Sequence, residues 1–265
     1  MTSPSVVPAP REGPNALFEL LLRLGDDRLV LGHRLSEWCG HGPILEEDIA
    51  VSNVALDLLG QATMFLRLAG EVEGQGRDED ALAYFREVVE FRNAQIVELP
   101  RGDFAFTIAR QFLFDVYAVV LLDALSHSAH VGLAAIAAKS LKEAKYHVRH
   151  SGEWMLKLGD GTDESHRRVQ TAIDALWRFT PELFAADDVD GAMLQAGIAP
   201  DLTTVQSQWD SIVRDVIDRA TLTLPHDVPR AATARGGRTG AHTEHLGHML
   251  AEMQIIARSH PGASW

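Results

Sequence analysis

Leu31-Gly32-His33-Arg34-Leu35-Ser36-Glu37-Trp38-Cys39-Gly40-His41-Gly42-Pro43, running on into Glu46-Glu47-Asp48-Ile49-Ala50, is where the fold is decided. Leu31, Leu35 and Trp38 extend a stripe begun by Leu17, Leu20, Leu21 and Leu24, apolar positions spaced three and four apart on one face of a helix. Gly40-His41-Gly42-Pro43 breaks that helix, because glycine relaxes the backbone and proline has no place in a helical interior. Glu46, Glu47 and Asp48 then put negative charge on the first turn of a new helix, where the dipole favours it. Two long helices joined by a tight turn form an antiparallel hairpin.

The same reading extends down the chain. The second helix carries Ile49, Leu56, Leu59 and Leu66 towards Gly70 or Gly74. A third is expected from near Asp78 through Leu82, Phe85 and Val89, stopping before Pro100-Arg101-Gly102. Asp103 is a good N-cap for a fourth, with Phe104, Ile108, Phe112, Val119 and Leu122. After a break at Ser128–His130, a fifth spans Leu133 to Leu158 and ends at Gly159-Asp160-Gly161. Thr162 or Asp163 caps a sixth holding Val169, Ile173, Leu176 and Trp177, and shorter helices follow around Ala192 and from Val205 to Ala220. No segment alternates like a strand. The expected fold is all-α: an antiparallel bundle with extra C-terminal helices, one domain over 15–265, against an alternative split near Gly159. Residues 1–14 read as a disordered tail, and the basic stretch 225–241, with Arg230, Arg235 and Arg238, as a long loop of flexible-connector type.

Composition narrows the function. The 265 residues carry 24 Lys and Arg against 37 Asp and Glu, a net charge of −13, which disfavours nucleic acid and anionic membrane surfaces as partners. The single Cys39 permits no internal disulfide and no zinc ribbon, and no histidine–acid pattern makes it a nucleophile. The opening residues lack the basic and apolar regions of a secretion signal, and Asp115, Asp123 and Lys139 interrupt the longest apolar runs. These features are those of a cytoplasmic protein with no membrane span.

Four acids carry the candidate chemistry. With the first turn centred near Gly42, Asp27 and Asp57 lie equally far from it; with the second break centred near Ala129, so do Asp115 and Glu143. If the two hairpins pack together, these carboxylates converge inside the bundle, with His147 on the same face as Glu143. Ferritin-like di-iron proteins use such inward carboxylates, but they add a Glu-x-x-His step on two helices, and that step is nowhere in this chain. Asp27, Asp57, Asp115, Glu143 and His147 therefore read as a vestigial metal site, with a metal-free polar network as the expected state. In the plainer alternative Asp26, Asp27 and Arg28 form a solvated kink, Asp115 pairs with Arg110 or Arg149, and Glu143 pairs with His147. A second candidate opens the last helix: His242, Glu244, His245 and His248, a spacing that drifts around the helix and cannot close a tetrahedron alone. There capping by Thr243 is the simpler reading, as surface placement is for His127 and His130.

The opening stretch, together with Leu56-Asp57-Leu58-Leu59-Gly60-Gln61-Ala62, Ala137-Ala138-Lys139-Ser140-Leu141-Lys142-Glu143-Ala144 and His242-Thr243-Glu244-His245-Leu246-Gly247, closely resembles the PaaC family of bacterial phenylacetyl-CoA epoxidase subunits. The likeness runs from Leu17 to Trp265. It implies a ferritin-like fold and a multicomponent oxygenase that forms a ring-1,2-epoxide during aerobic phenylacetate breakdown. In that family a PaaA-type subunit holds the di-iron centre and the acyl-CoA, and a flavin and Fe-S reductase draws electrons from NADPH. The PaaC-type chain is the non-catalytic partner and stabiliser. The resemblance thus implies no catalytic, cofactor-binding or metal residue in this chain, partners among the other epoxidase components, and a homodimer as one form of the isolated chain. The competing reading is an independent ferritin-like di-metal oxidase or metal-handling protein built on the vestigial acids. A third is a zinc or nickel binder through His242 and His245.

Overall fold

A computed structural model describes residues 15–225 and 233–263. Among the described residues there is no strand, and ten α-helices are present: α1 Ala16–Ser36, α2 Leu45–Glu73, α3 Glu79–Tyr84, α4 Gln95–Glu98, α5 Phe104–Leu125, α6 Val131–Gly159, α7 Asp163–Leu176, α8 Asp188–Gln195, α9 Leu202–Arg219 and α10 Glu244–Ser259. The expected caps are there. Asp103 accepts from Phe106 N at 2.8 Å, and Thr162 from Ser165 N at 3.2 Å. Gly74 ends α2 in the left-handed conformation, φ 68°, which glycine adopts without a steric penalty.

The bundle is two hairpins, α1–α2 and α5–α6, the arrangement the ferritin-like resemblance implies. Their mating faces are Leu, Val, Ala and Phe. Phe65, Phe112, Phe114, Leu21, Leu31 and Leu35 are all fully buried. The hairpins join along α2 and α6, which run antiparallel: His150 meets Glu47, His147 meets Asp57, and Glu143 meets Gln61. The later helices cover one side. Trp209 of α9 is buried, donates from Nε1 to Leu113 O at 2.9 Å, and stacks near Phe184 and Trp177.

By length and composition, α2 and α5 could each cross a membrane, with mean hydropathies of 1.4 and 1.6, so Asp115 and Asp123 do not rule out a span as expected. The window in α5 is 89% buried inside the protein, while that in α2 is only 44% buried. α5 is the core helix. α2 keeps an exposed apolar side.

The expected third helix is broken. Between α3 and α4 lie a 3-10 turn, Val88–Glu90, and extended backbone. The cause lies in α1, whose Asp26 and Asp27 are 0% and 1% exposed and need donors. Arg92 N donates to Asp26 at 2.7 Å and Ala94 N to Asp27 at 2.8 Å. A continuous helix would spend those N–H groups on its own carbonyls.

The connector reading of 225–241 changes as well. Residues 226–232, Arg230 among them, lie outside the described residues, as does the tail 1–14. Gly236 to Ala241, however, are pinned to the core. Arg238 forms a two-pronged pair with Asp27, 2.8 Å on each prong. A Cβ on Gly237 would lie 2.3 Å from Asn93 O, so only glycine allows that approach.

Candidate functional site

The interior polar groups form two sets. The first ties the C-terminal part to α1. Asp26 takes both prongs of Arg86, and Asp27 takes Arg238. Burial alone would lower the Arg238 pKa, but Asp27 and Tyr117 hold it well above the ordinary arginine value. Tyr117 itself is pushed up to about 12, chiefly by burial. Glu182 accepts from Gln95 N and Gly237 N, and its pKa is raised by burial. Glu98, 0% exposed, accepts from Thr243 N at 2.6 Å, Asn93 Nδ2 at 3.0 Å and His242 Nδ1 at 2.9 Å.

The second set lies between the hairpins. Arg28 is 1% exposed, with Nε on Gln61 Oε1 at 2.9 Å, Nη1 on Leu24 O, and its guanidinium 4.8 Å from the centre of the Phe65 ring. Gln61 passes the contact on, Nε2 donating to Glu143 at 2.8 Å. Burial lowers the Arg28 pKa to about 10, which still leaves it charged at neutral pH. Beside this chain, His147 Nε2 lies 3.0 Å from Asp57 Oδ2. Deeper in, Asp115 accepts from Gln111 Nε2 at 2.6 Å and Ser151 Oγ at 2.8 Å.

The expected convergence of four acids at one level does not occur, and the reason is register. A Cβ on Gly25 would meet Leu66, and one on Gly32 would meet Leu59 and Ala55 O. Asp57 therefore lies level with the Gly32 region of α1, more than a turn from Asp27. Likewise Ser151, and not Glu143, faces Asp115 across α5–α6. The connections are asymmetric in the lengths of helix they leave on each side, so counting from the turn misplaces each pair by one to two turns. Asp27 belongs to the other polar set. Nor do the plainer expectations hold: Asp26, Asp27 and Arg28 are buried, Asp115 has no arginine partner among the described residues, and Glu143 and His147 choose different partners on α2.

The C-terminal candidate is divided too. The His242 side chain is buried and both ring nitrogens are engaged, Nδ1 with Glu98 and Nε2 with Phe91 O. Glu244 and His248 are exposed, and Thr243 makes no side-chain cap. His130 caps α6 through Nδ1, accepting from Leu133 N. Among the described residues no group of three or more His, Cys, Asp or Glu is placed to hold a metal. The donor set also fits di-iron poorly on chemical grounds. Glu143, Asp115 and Asp57 are each already bonded to a buried side chain, and they do not converge on one point.

Sequence reading missed Arg86, Glu98 and Glu182, and it set Asp26 and Arg28 in a solvated kink and Arg238 in a loose loop, where the structure buries Asp26 and Arg28 and leaves the Arg238 side chain only 13% exposed. The one available signal was ionisable residues set inside apolar runs, as at Leu24-Gly25-Asp26-Asp27-Arg28-Leu29.

Asp115 gives a pH test. Burial pushes its carboxyl up to about 6, although His147, Ser151 and Gln111 pull it down. Between the unfolded value near 3.8 and 6, the folded protein holds the proton and the unfolded chain does not. This group's contribution to stability therefore falls as pH rises through that window, by about 3 kcal/mol. Carbon-13 NMR of the labelled carboxyl should titrate near 6, and Asp115→Asn should remove that fall from the stability profile. A midpoint near 4 would contradict the buried placement.

Residues 5–265 match the phenylacetic acid catabolic protein family. The chain is also 51% identical over 251 residues to a 1,2-phenylacetyl-CoA epoxidase subunit of Escherichia coli strain K12, a match covering 95% of this chain and 100% of that protein.

Proposed function

This chain belongs to the phenylacetic acid catabolic protein family, and on that premise we propose that it is the structural, non-catalytic subunit of a multicomponent phenylacetyl-CoA epoxidase. Its work is to pair with a PaaA-type di-iron subunit and hold it in its active conformation. The reductase, with flavin, Fe-S cluster and NADPH, serves that partner. The epoxidase components act in the cytoplasm, and a homodimer is one form open to the isolated chain.

One observation carries the non-catalytic part of the reading: Glu143 is bonded to Gln61, Asp115 to Gln111 and Ser151, and Asp57 to His147, and every one of these partners is buried. Removing a carboxylate from such a network to ligate iron leaves a buried donor unpaired, at a cost of about 1–3 kcal/mol for each one. The same argument gives this chain no catalytic, cofactor or metal residue. Asp57, Asp115, Glu143 and His147 serve stability, as do Asp27 and His242.

Co-expression with the di-iron subunit tests the reading. A stoichiometric complex should form. Epoxidation of phenylacetyl-CoA with NADPH and reductase should require the complex and be absent with this chain alone. Turnover by this chain and reductase alone would establish the independent oxidase instead.

A further inference from the structure

The outer face of α2 carries an uncharged stripe. Leu45, Ile49, Asn53, Leu56, Gly60 and Thr63 follow one another at helical spacing, all exposed and all uncharged, over about 27 Å of helix. Leu45, Leu56 and Ile49 are 71%, 65% and 53% exposed. Apolar side chains scattered singly on a surface need no explanation, but a continuous stripe along a five-turn run does.

Gly60 supplies a second observation. It sits in mid-helix, where glycine is the poorest former after proline, and a Cβ there would meet nothing within 4 Å. Nothing in this chain's own packing calls for glycine at this position. Close approach of another backbone does.

Charge indicates what approaches. All four lysines of the chain, Lys139, Lys142, Lys145 and Lys157, lie on α6. The first three are exposed. At about 100° of turn per residue, Lys139 and Lys142 lie on the outward side of α6 next to Glu143, which meets Gln61 of α2, while Lys145 lies on the side away from α2. Among the described residues none of these three has an acidic partner within 4 Å. A chain of net charge −13 has thus set two of its four lysines beside one uncharged face. A second copy in a two-fold contact would set this patch, lysines included, against itself.

We propose that the α2 face, with Gly60 at its closest point and Lys139 and Lys142 at its rim, is the docking surface for a helix of the di-iron subunit that bears an uncharged stripe flanked by carboxylates. This rests on the function proposed above.

The test uses the full chain and the purified di-iron subunit, with affinity measured by titration. Gly60→Leu should weaken binding about tenfold or more, and Leu56→Asp more strongly, since both act at the centre of the contact. Gly60→Leu should leave the melting temperature of the free chain unchanged or raise it by about 2 °C, because a better helix former enters open space. Charge reversal at Lys139 and Lys142 should slow association and flatten its salt dependence. Ile212→Asp on α9 is the control and should bind as wild type.

Wild-type binding that survives both α2 substitutions within twofold overturns the docking surface while leaving the proposed function intact. Failure of the wild-type chain to bind overturns both. If Gly60→Leu instead dissolves a homodimer and spares the heteromeric complex, the occupant is a second copy and the proposal fails.

Discussion

Asp27→Ala should destabilise the chain by about 3–5 kcal/mol, the range for removing one partner of a buried ion pair. Asp27 is 1% exposed and Arg238 is 13% exposed at the side chain, so the guanidinium left behind has little solvent to turn to. Ala94 N loses its acceptor at the same time. The effect should spread. Gly236–Ala241 would detach from the core, and with it the path that leads His242 to Glu98. Urea unfolding gives the magnitude, and hydrogen exchange should show protection lost at Gly237 and Leu246 before α1 opens. In a double-mutant cycle, Asp27→Ala with Arg238→Met should be clearly milder than the single acid deletion, since no unpaired charge remains. A loss below about 1 kcal/mol for Asp27→Ala would mean the pair is solvated and the strap only loosely attached.

Trp209→Ala should cost about as much, 3–5 kcal/mol, in the manner of a large aromatic truncated in a core. Its indole fills the space between α5 and the 3-10 segment Trp177–Phe184 and satisfies Leu113 O, which the substitution leaves without that donor. Calorimetry should show one transition moved to lower temperature, with the two sides of Gly159 unfolding together, as one domain over 15–265 requires. Two separated transitions would instead support a division near Gly159.

The long helices were legible because their evidence is local. The Leu17–Leu24 stripe, the Asp103 and Thr162 caps and the Gly40–Pro43 break each act within a few residues, and each appears in the structure where expected. The segment 78–100 was misread because its conformation is set from a distance. Its amide groups answer to Asp26 and Asp27, which lie over sixty residues earlier. The basic loop was misread for the same reason, since Arg238 answers to Asp27.

The candidate site was half legible. That acids on interior faces of α2, α5 and α6 need partners followed from the cost of buried charge, and Asp57, Asp115, Glu143 and His147 are in fact partnered. Which partner each takes depends on helix register, and register is a property of packed faces that counting from a turn does not supply. Arg28 was therefore set aside as part of a kink, although it is the cation from which the Gln61–Glu143 chain starts.

Buried protein side chains hold the carboxylates that a di-iron centre would need, and metal content tests this. The full chain is purified, incubated anaerobically with excess ferrous iron, exposed to air, desalted, and analysed for iron by mass spectrometry. Well under about one-tenth of an iron per chain and no new visible absorption are expected. Roughly two irons per chain, lost together on Glu143→Ala or Asp115→Ala, would contradict it.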